Sequence, residues 1–95
     1  MPWKVGNLDF NKLKVPILEL LVEDGAMDGT DLSKRLAESN QIVIDIHALR
    51  MALMRYYRQG LLRRERSGGG FKYGISQRGV QRLRWLQQHS QSRDE

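Results

Sequence analysis

Between residues 50 and 84 the chain carries ten cationic side chains and one acid, Glu65, a net of +9 in a protein whose total is +5. Their spacing is what makes them candidates for chemistry. Residues 47–73 read HALRMALMRYYRQGLLRRERSGGGFKY. Ile46, Leu49, Leu53 and Tyr56 recur at intervals of three and four, which defines the inner stripe of a helix. The opposite side carries His47, Met51, Met54 and Arg58, flanked by Arg50 and Arg55. Guanidinium groups set this way can bond guanine edges or phosphates, and the major groove of duplex DNA admits a helix. His47 lies in the N-terminal part of that helix, where base contacts concentrate in helix-turn-helix proteins. Met51 and Met54 can meet thymine methyl groups, or adapt to a protein partner. Arg63, Arg64, Arg66 and Lys72 then flank Ser67 and three glycines, a basic hairpin suited to phosphate or minor-groove contact. The alternative for each of these cations is a solvated face.

The rest of the composition excludes other chemistry. No cysteine is present, so disulfides, thiolate-held zinc, iron–sulfur clusters and thiol nucleophiles are excluded. His47 and His89 stand far apart without an evident catalytic partner, so no enzymatic activity is expected. Asp28 and Asp31 have the spacing of a metal pair, but capping and turn roles explain them better, and neither metal nor cofactor is expected. The glycine triplet lacks the lysine and following helix of a nucleotide-binding loop. No apolar run approaches the ~18 residues needed to cross a bilayer, and MPWKVGNLDF lacks a signal-peptide core. A cytoplasmic location and no membrane association are therefore expected. In contrast with residues 50–84, residues 1–49 carry five cations and eight acids.

These side chains need a frame, and the remaining pattern predicts one. Residues 1–10 read as an extended or loosely helical arm with Trp3, Leu8 and Phe10 available for docking. A first helix is expected from residue 15 to 23, with Pro16 in its first turn; Asn11 can cap an earlier turn, and Gly25 is the left-handed stop. A short strand at residues 26–28 precedes a second helix over 31–38, capped by Thr30, with Leu32, Leu36 and Ala37 inward. The third helix begins at Ile44 or Asp45 and stops at Gly60. Residues 61–66 and 71–75 form two strands around a turn at 67–70, with Phe71, Tyr73 and Ile75 sharing the buried side. Ser76 caps a fourth helix over 77–89 that turns Val80, Leu83 and Leu86 inward. Residues 90–95 form a frayed tail. The expected fold is mainly α (α+β): one winged helix-turn-helix domain over residues 1–95. It has a three-helix core, a two- to three-stranded wing and a C-terminal helix.

Three stretches resemble the PadR-like transcriptional regulators. ILELLVEDGAMDGTDLSKRLAES is similar to the family's first two helices, with their acidic-glycine turn and L-x-x-x-L pattern. HALRMALMRYYRQGLL is similar to its third helix, and FKYGISQRGVQRL to its wing exit, where a basic-glycine pair opens the next helix. The resemblance covers about residues 17–86. It implies a dimeric repressor that dimerises through an additional helix. The C-terminal helix here is short, so a homodimer is expected to use the N-terminal arm as well, through Trp3, Phe10 and Trp85. Double-stranded DNA is the expected partner. The alternatives are a winged-helix module for protein–protein contact in a transcription or replication assembly, and an RNA-binding winged helix.

Overall fold

The computed structural model describes residues 3–4 and 10–93, with side chains described for residues 13–89. Its elements run β1 (Trp3–Lys4), α1 (Phe10–Asp24), β2 (Met27–Asp28), α2 (Gly29–Asn40), β3 (Ile42–Val43), α3 (Ile46–Arg58), β4 (Leu62–Ser67), β5 (Gly70–Ile75) and α4 (Gln77–Arg93). Helix α1 starts five residues before the expected Val15. Pro16 therefore lies in its second turn, and Asn11 is a helical residue rather than a cap. An interior proline costs about 3 kcal/mol. Leu13, Ile17, Leu18, Leu20 and Leu21 are all buried around it, and each contributes about 1.5–3 kcal/mol, so burial outweighs the loss. The helix ends as glycine dictates: Gly25 has φ +84° and donates to the Leu21 carbonyl at 3.1 Å.

Helix α2 begins immediately after β2, and this moves its cap. Asp28, in extended backbone, accepts from the Asp31 amide through Oδ1 at 2.8 Å, so Asp28 and not Thr30 closes the helix. The same bond accounts for the Asp28–Asp31 spacing without a metal. Gly29 is buried beside α3, the Arg50 side chain lying at ordinary contact distance, 3.6 Å, from where a Cβ would stand. Leu32 and Leu36 are fully buried, but Ala37 is exposed. Five residues on from Leu32, the helix has turned by about 140°. Gln41 ends α2 in the left-handed region, at φ +54°.

Helix α3 has the expected inner stripe, with Leu49, Ala52, Leu53 and Tyr56 at 0% exposure. Asp45 is its N-cap, accepting from the amides of His47 and Ala48. At the far end Gly60, at φ +81°, donates to Tyr57 and Leu61 donates to Tyr56. That pair of bonds is a Schellman stop, and it delivers the chain directly into β4.

β4 and β5 form an antiparallel hairpin in which Ser67 pairs with Gly70, so Gly68 and Gly69 make a two-residue turn. Gly70 is a strand residue rather than part of the turn. β2 adds to the other edge of β5, giving the sheet order β2-β5-β4. Leu62 and Tyr73 are buried, and Ile75 packs against the core. Phe71 shares their face but is 36% exposed, since the hairpin has run past the edge of the core by that point. An unanticipated second sheet pairs β1 in parallel with β3, Trp3 opposite Ile42. The arm is thus extended at Trp3–Lys4, and Phe10 already belongs to α1. The side chains of Trp3 and Phe10, and residues 5–9, lie outside the described residues. So do Asp94 and Glu95; the tail expected to fray from residue 90 is helical through Arg93.

Helix, helix, helix, hairpin, helix, around one core and with a three-stranded antiparallel sheet, is the winged helix-turn-helix arrangement, mainly α. Among the described residues no helix is long and apolar enough to cross a membrane. One contact closes it. Gly79, on the first turn of α4, is so near the Leu61 backbone that an added Cβ would overlap the Leu61 carbonyl oxygen and lie 2.7 Å from Ile75. Gly79→Ala is therefore expected to lower stability by about 1–3 kcal/mol, the usual cost of overpacking. Gly69→Ala, with nothing within 4 Å, is expected to be near neutral. Urea denaturation of both variants measures the difference.

Candidate nucleic-acid interface

The candidate site begins with α3, because its cap, stripe and stop fix which side chains face out. His47, Arg50, Met51, Arg55 and Arg58 are all exposed, Met51 at 64%. Met54 is half-buried. Tyr57, which the periodicity leaves off the core stripe, stands 37% exposed on the flank of the helix facing the wing.

The hairpin sorts its charges by strand alternation. Paired residues share a face, so Leu62, Arg64 and Arg66 of β4 lie with Ile75, Tyr73 and Phe71 of β5. From base to tip this inner face changes from core to a ladder of aromatic rings and guanidinium groups. The Arg64 guanidinium lies 4.3 Å from the centre of the Tyr57 ring and 4.4 Å from that of Phe71. Its Nη1 donates to Met54 Sδ at 3.5 Å. Arg66 stands 5.9 Å from the other rung, Phe71. Arg64 is thus held between α3 and the wing. A cation over a ring is worth about 0.5–1 kcal/mol where solvent reaches it and more where it does not. The contacts to Tyr57 and Met54 cross from the wing to α3 and bias the hairpin toward one orientation.

The outer face of the hairpin is different. Lys72 lies in register between Glu65 on β4 and Asp28 on β2. Two acids on the same face offset its charge, so Lys72 offers less to a phosphate than its sequence position suggests. Arg63 is exposed on that outer face, across from Gly74.

The expected residues therefore fall into groups. His47, Arg50, Met51, Arg55 and Arg58 form the open face of α3. Met54 and Arg64 are joined to each other, and Arg66 extends the ladder to the tip. Arg63 and Lys72 stand apart on the outer side. Sequence reasoning missed Tyr57 and Phe71 as shelves for Arg64. The available signal was a tyrosine beside the core stripe, facing a strand with arginines at the alternate positions 64 and 66.

No protein-family model matches the sequence, and no curated protein matches it. Solved structures do. The chain is similar to a transcriptional regulator from Clostridium thermocellum, with 21% identity, 85% of this chain and 82% of that one covered, and a TM-score of 0.76. It is also similar to F93 from STIV, a winged-helix DNA-binding protein, with 18% identity, 87% and 90% covered, and a TM-score of 0.75. A third similar structure is RosR of H. salinarum, with 18% identity, 94% and 79% covered, and a TM-score of 0.74. At these identities the likeness establishes the winged-helix fold.

If Arg64 ties the wing to α3, the tie is measurable. A double-mutant cycle with Tyr57→Leu and Arg64→Ala in urea denaturation is expected to give a coupling of about 0.5–1 kcal/mol. Additive losses would mean that the stacking carries no energy.

Proposed function

We propose that this chain is a PadR-like winged-helix transcriptional regulator that binds double-stranded DNA with sequence preference. The observation that carries the proposal is the continuity of α3 and the wing: an exposed row of arginine, histidine and methionine runs into an arginine–aromatic ladder on one side of the molecule. In this reading α3 enters the major groove, with Arg50 and Arg55 bonding base edges and His47, Met51, Met54 and Arg58 completing the contact. Arg66 and Arg63 meet the backbone, Lys72 does so more weakly, and Arg64 holds the wing at the angle the duplex requires. The similar structures described as a transcriptional regulator and a DNA-binding protein support the same function for this fold.

Residues 1–95 act in this reading as one cytoplasmic domain with no catalytic role, paired as a homodimer. Trp85 is 49% exposed on α4 and Val22 51% exposed on α1, and the two helices pack against each other. These support a dimer seam, which in this reading Trp3 of the arm and Phe10 at the start of α1 continue. Two-fold pairing sets the recognition helices about 34–36 Å apart and favours a palindromic site. A second reading, contact with another protein in a transcription or replication assembly, is favoured by Met51 and by Val43, which is 60% exposed.

The test is binding to random-sequence duplex DNA across a salt series, with light scattering on the same sample. The expected result is a dimer whose nonspecific dissociation constant is about 10⁻⁴–10⁻⁶ M at physiological salt and falls steeply as salt is lowered. No binding at low salt would sink the proposal. Against a selected operator, Arg50→Ala and Arg55→Ala are expected to cost about 1–3 kcal/mol each and relax the sequence preference. Arg66→Ala is expected to weaken all sequences alike and lower the salt slope by about one. Val43→Asn separates the second reading, because Val43 is 60% exposed and outside the DNA-contacting set: the substitution would weaken partner binding while leaving DNA affinity nearly intact.

A further inference from the structure

Where α1, the end of α3 and the start of α4 meet, an open cleft of about 480 Å³ is lined by Lys14, Arg58, Gln59, Leu61, Arg78 and Arg82. Four of the six are cations, and none of these lining residues is acidic. We propose that this cleft is a binding site for a small polyphosphate-bearing ligand, adjoining the face that meets DNA at Arg58 but built on Lys14, Arg78 and Arg82, which lie outside that face.

The argument starts from cost. Like charges converging on one cleft repel one another, and a fold tolerates such a cluster where a counter-charge is meant to enter. The ion pair of Arg35 with Asp24, at 3.5 Å, lies elsewhere. The Lys14 ammonium is held below the usual lysine range, first by burial and only then by the charges of Arg82 and Arg55, while its Nζ lies 5.6 Å from the Tyr56 ring.

The cations are also held in place. Arg78 lies along Gly60, its Cδ 3.4 Å from where a Cβ would stand, so the glycine that stops α3 also makes room for this arginine. The Arg82 guanidinium rests 5.6 Å from the Trp85 ring. Cations from α1 and α4, each resting on a neighbouring residue around one opening, make a shaped site rather than a solvated run.

The lining selects the ligand. The volume falls within the range of about 300–1,000 Å³ found for small-molecule sites. Leu61 is the sole aliphatic residue in the lining, so an apolar effector finds little to bury. Four cations call for several negative charges held close together, and guanidinium forks bind phosphate oxygens in pairs. Di- and triphosphate groups have that charge density. Phosphates of the DNA backbone share the chemistry, and the experiment separates the two sources.

The test is calorimetric titration of the intact protein with inorganic tripolyphosphate at fixed ionic strength. The comparison is between Arg78→Gln/Arg82→Gln and Arg66→Gln/Lys72→Gln, which remove equal charge at different places. The proposal expects saturable one-to-one binding. It expects a loss of about tenfold for each cleft arginine removed, the worth of one charge-assisted hydrogen bond, and little change for the wing variant. Equal weakening by both variants, or no saturation, would show only a diffuse cationic field and overturn the proposal. Duplex DNA is then titrated into the cleft variant. An unchanged salt slope supports a separate site, and a slope lower by about two assigns the cleft to the DNA backbone, which also overturns it.

Discussion

The fold turns on one joint, where α3, both strands of the wing and α4 share a few backbone atoms. The Ser76 amide donates to the Leu61 carbonyl at 3.0 Å. The Ser76 hydroxyl donates to the Gly60 carbonyl at 2.6 Å and accepts from the Gly79 amide at 3.0 Å. One serine thereby caps α4, occupies the carbonyl left over at the end of α3, and fixes where β5 must finish. Gly79 lets α4 approach the Leu61 backbone closely enough for this to happen. The hairpin's base is set by this joint and by Leu62 and Tyr73 in the core. Beyond the core, aromatic rings and guanidinium groups take over from apolar contact.

That handover relates structure to function. A wing pinned wholly by apolar packing would present no charge to a polyanion, and one pinned by nothing would lose orientational entropy on binding. Arg64 between Tyr57 and Phe71 is an intermediate solution. It limits the hairpin's freedom while keeping the surface basic. The division of charge fits the same picture: the α3 face and wing are rich in arginine, while the described acids of the first half of the chain cap α2 and α3, pair with Arg35, accept from Gln87 or face solvent.

Much of this was legible in the sequence because local rules and tertiary demand agreed. The inner stripe of α3, the stop at Gly60, the Ser76 cap and the left-handed turn at Gly25 follow from periodicity and from glycine and serine chemistry. Where the two disagreed, tertiary demand prevailed. Burial of Leu13 and Ile17 carried α1 back through Pro16, and the proximity of β2 gave the α2 cap to Asp28 instead of Thr30. Strand alternation put Phe71 on the inner face, but only the length of the hairpin relative to the core decides that it is exposed. The candidate site was legible as a set of residue types and not as an arrangement. Spacing alone cannot tell that Lys72 falls between two acids, or that Lys14, Arg78 and Arg82 close around a cleft.

The central claim is that α3 and the inner face of the wing form one DNA-binding surface. Amide and arginine side-chain NMR spectra, recorded as a short duplex is titrated in, test it most directly. The account predicts perturbations concentrated on residues 47–58 and on the Arg64–Phe71–Arg66 ladder, smaller ones at Arg63 and Lys72, and α1 nearly silent. Perturbations centred on α1, α2 or α4, with α3 unaffected, would contradict it.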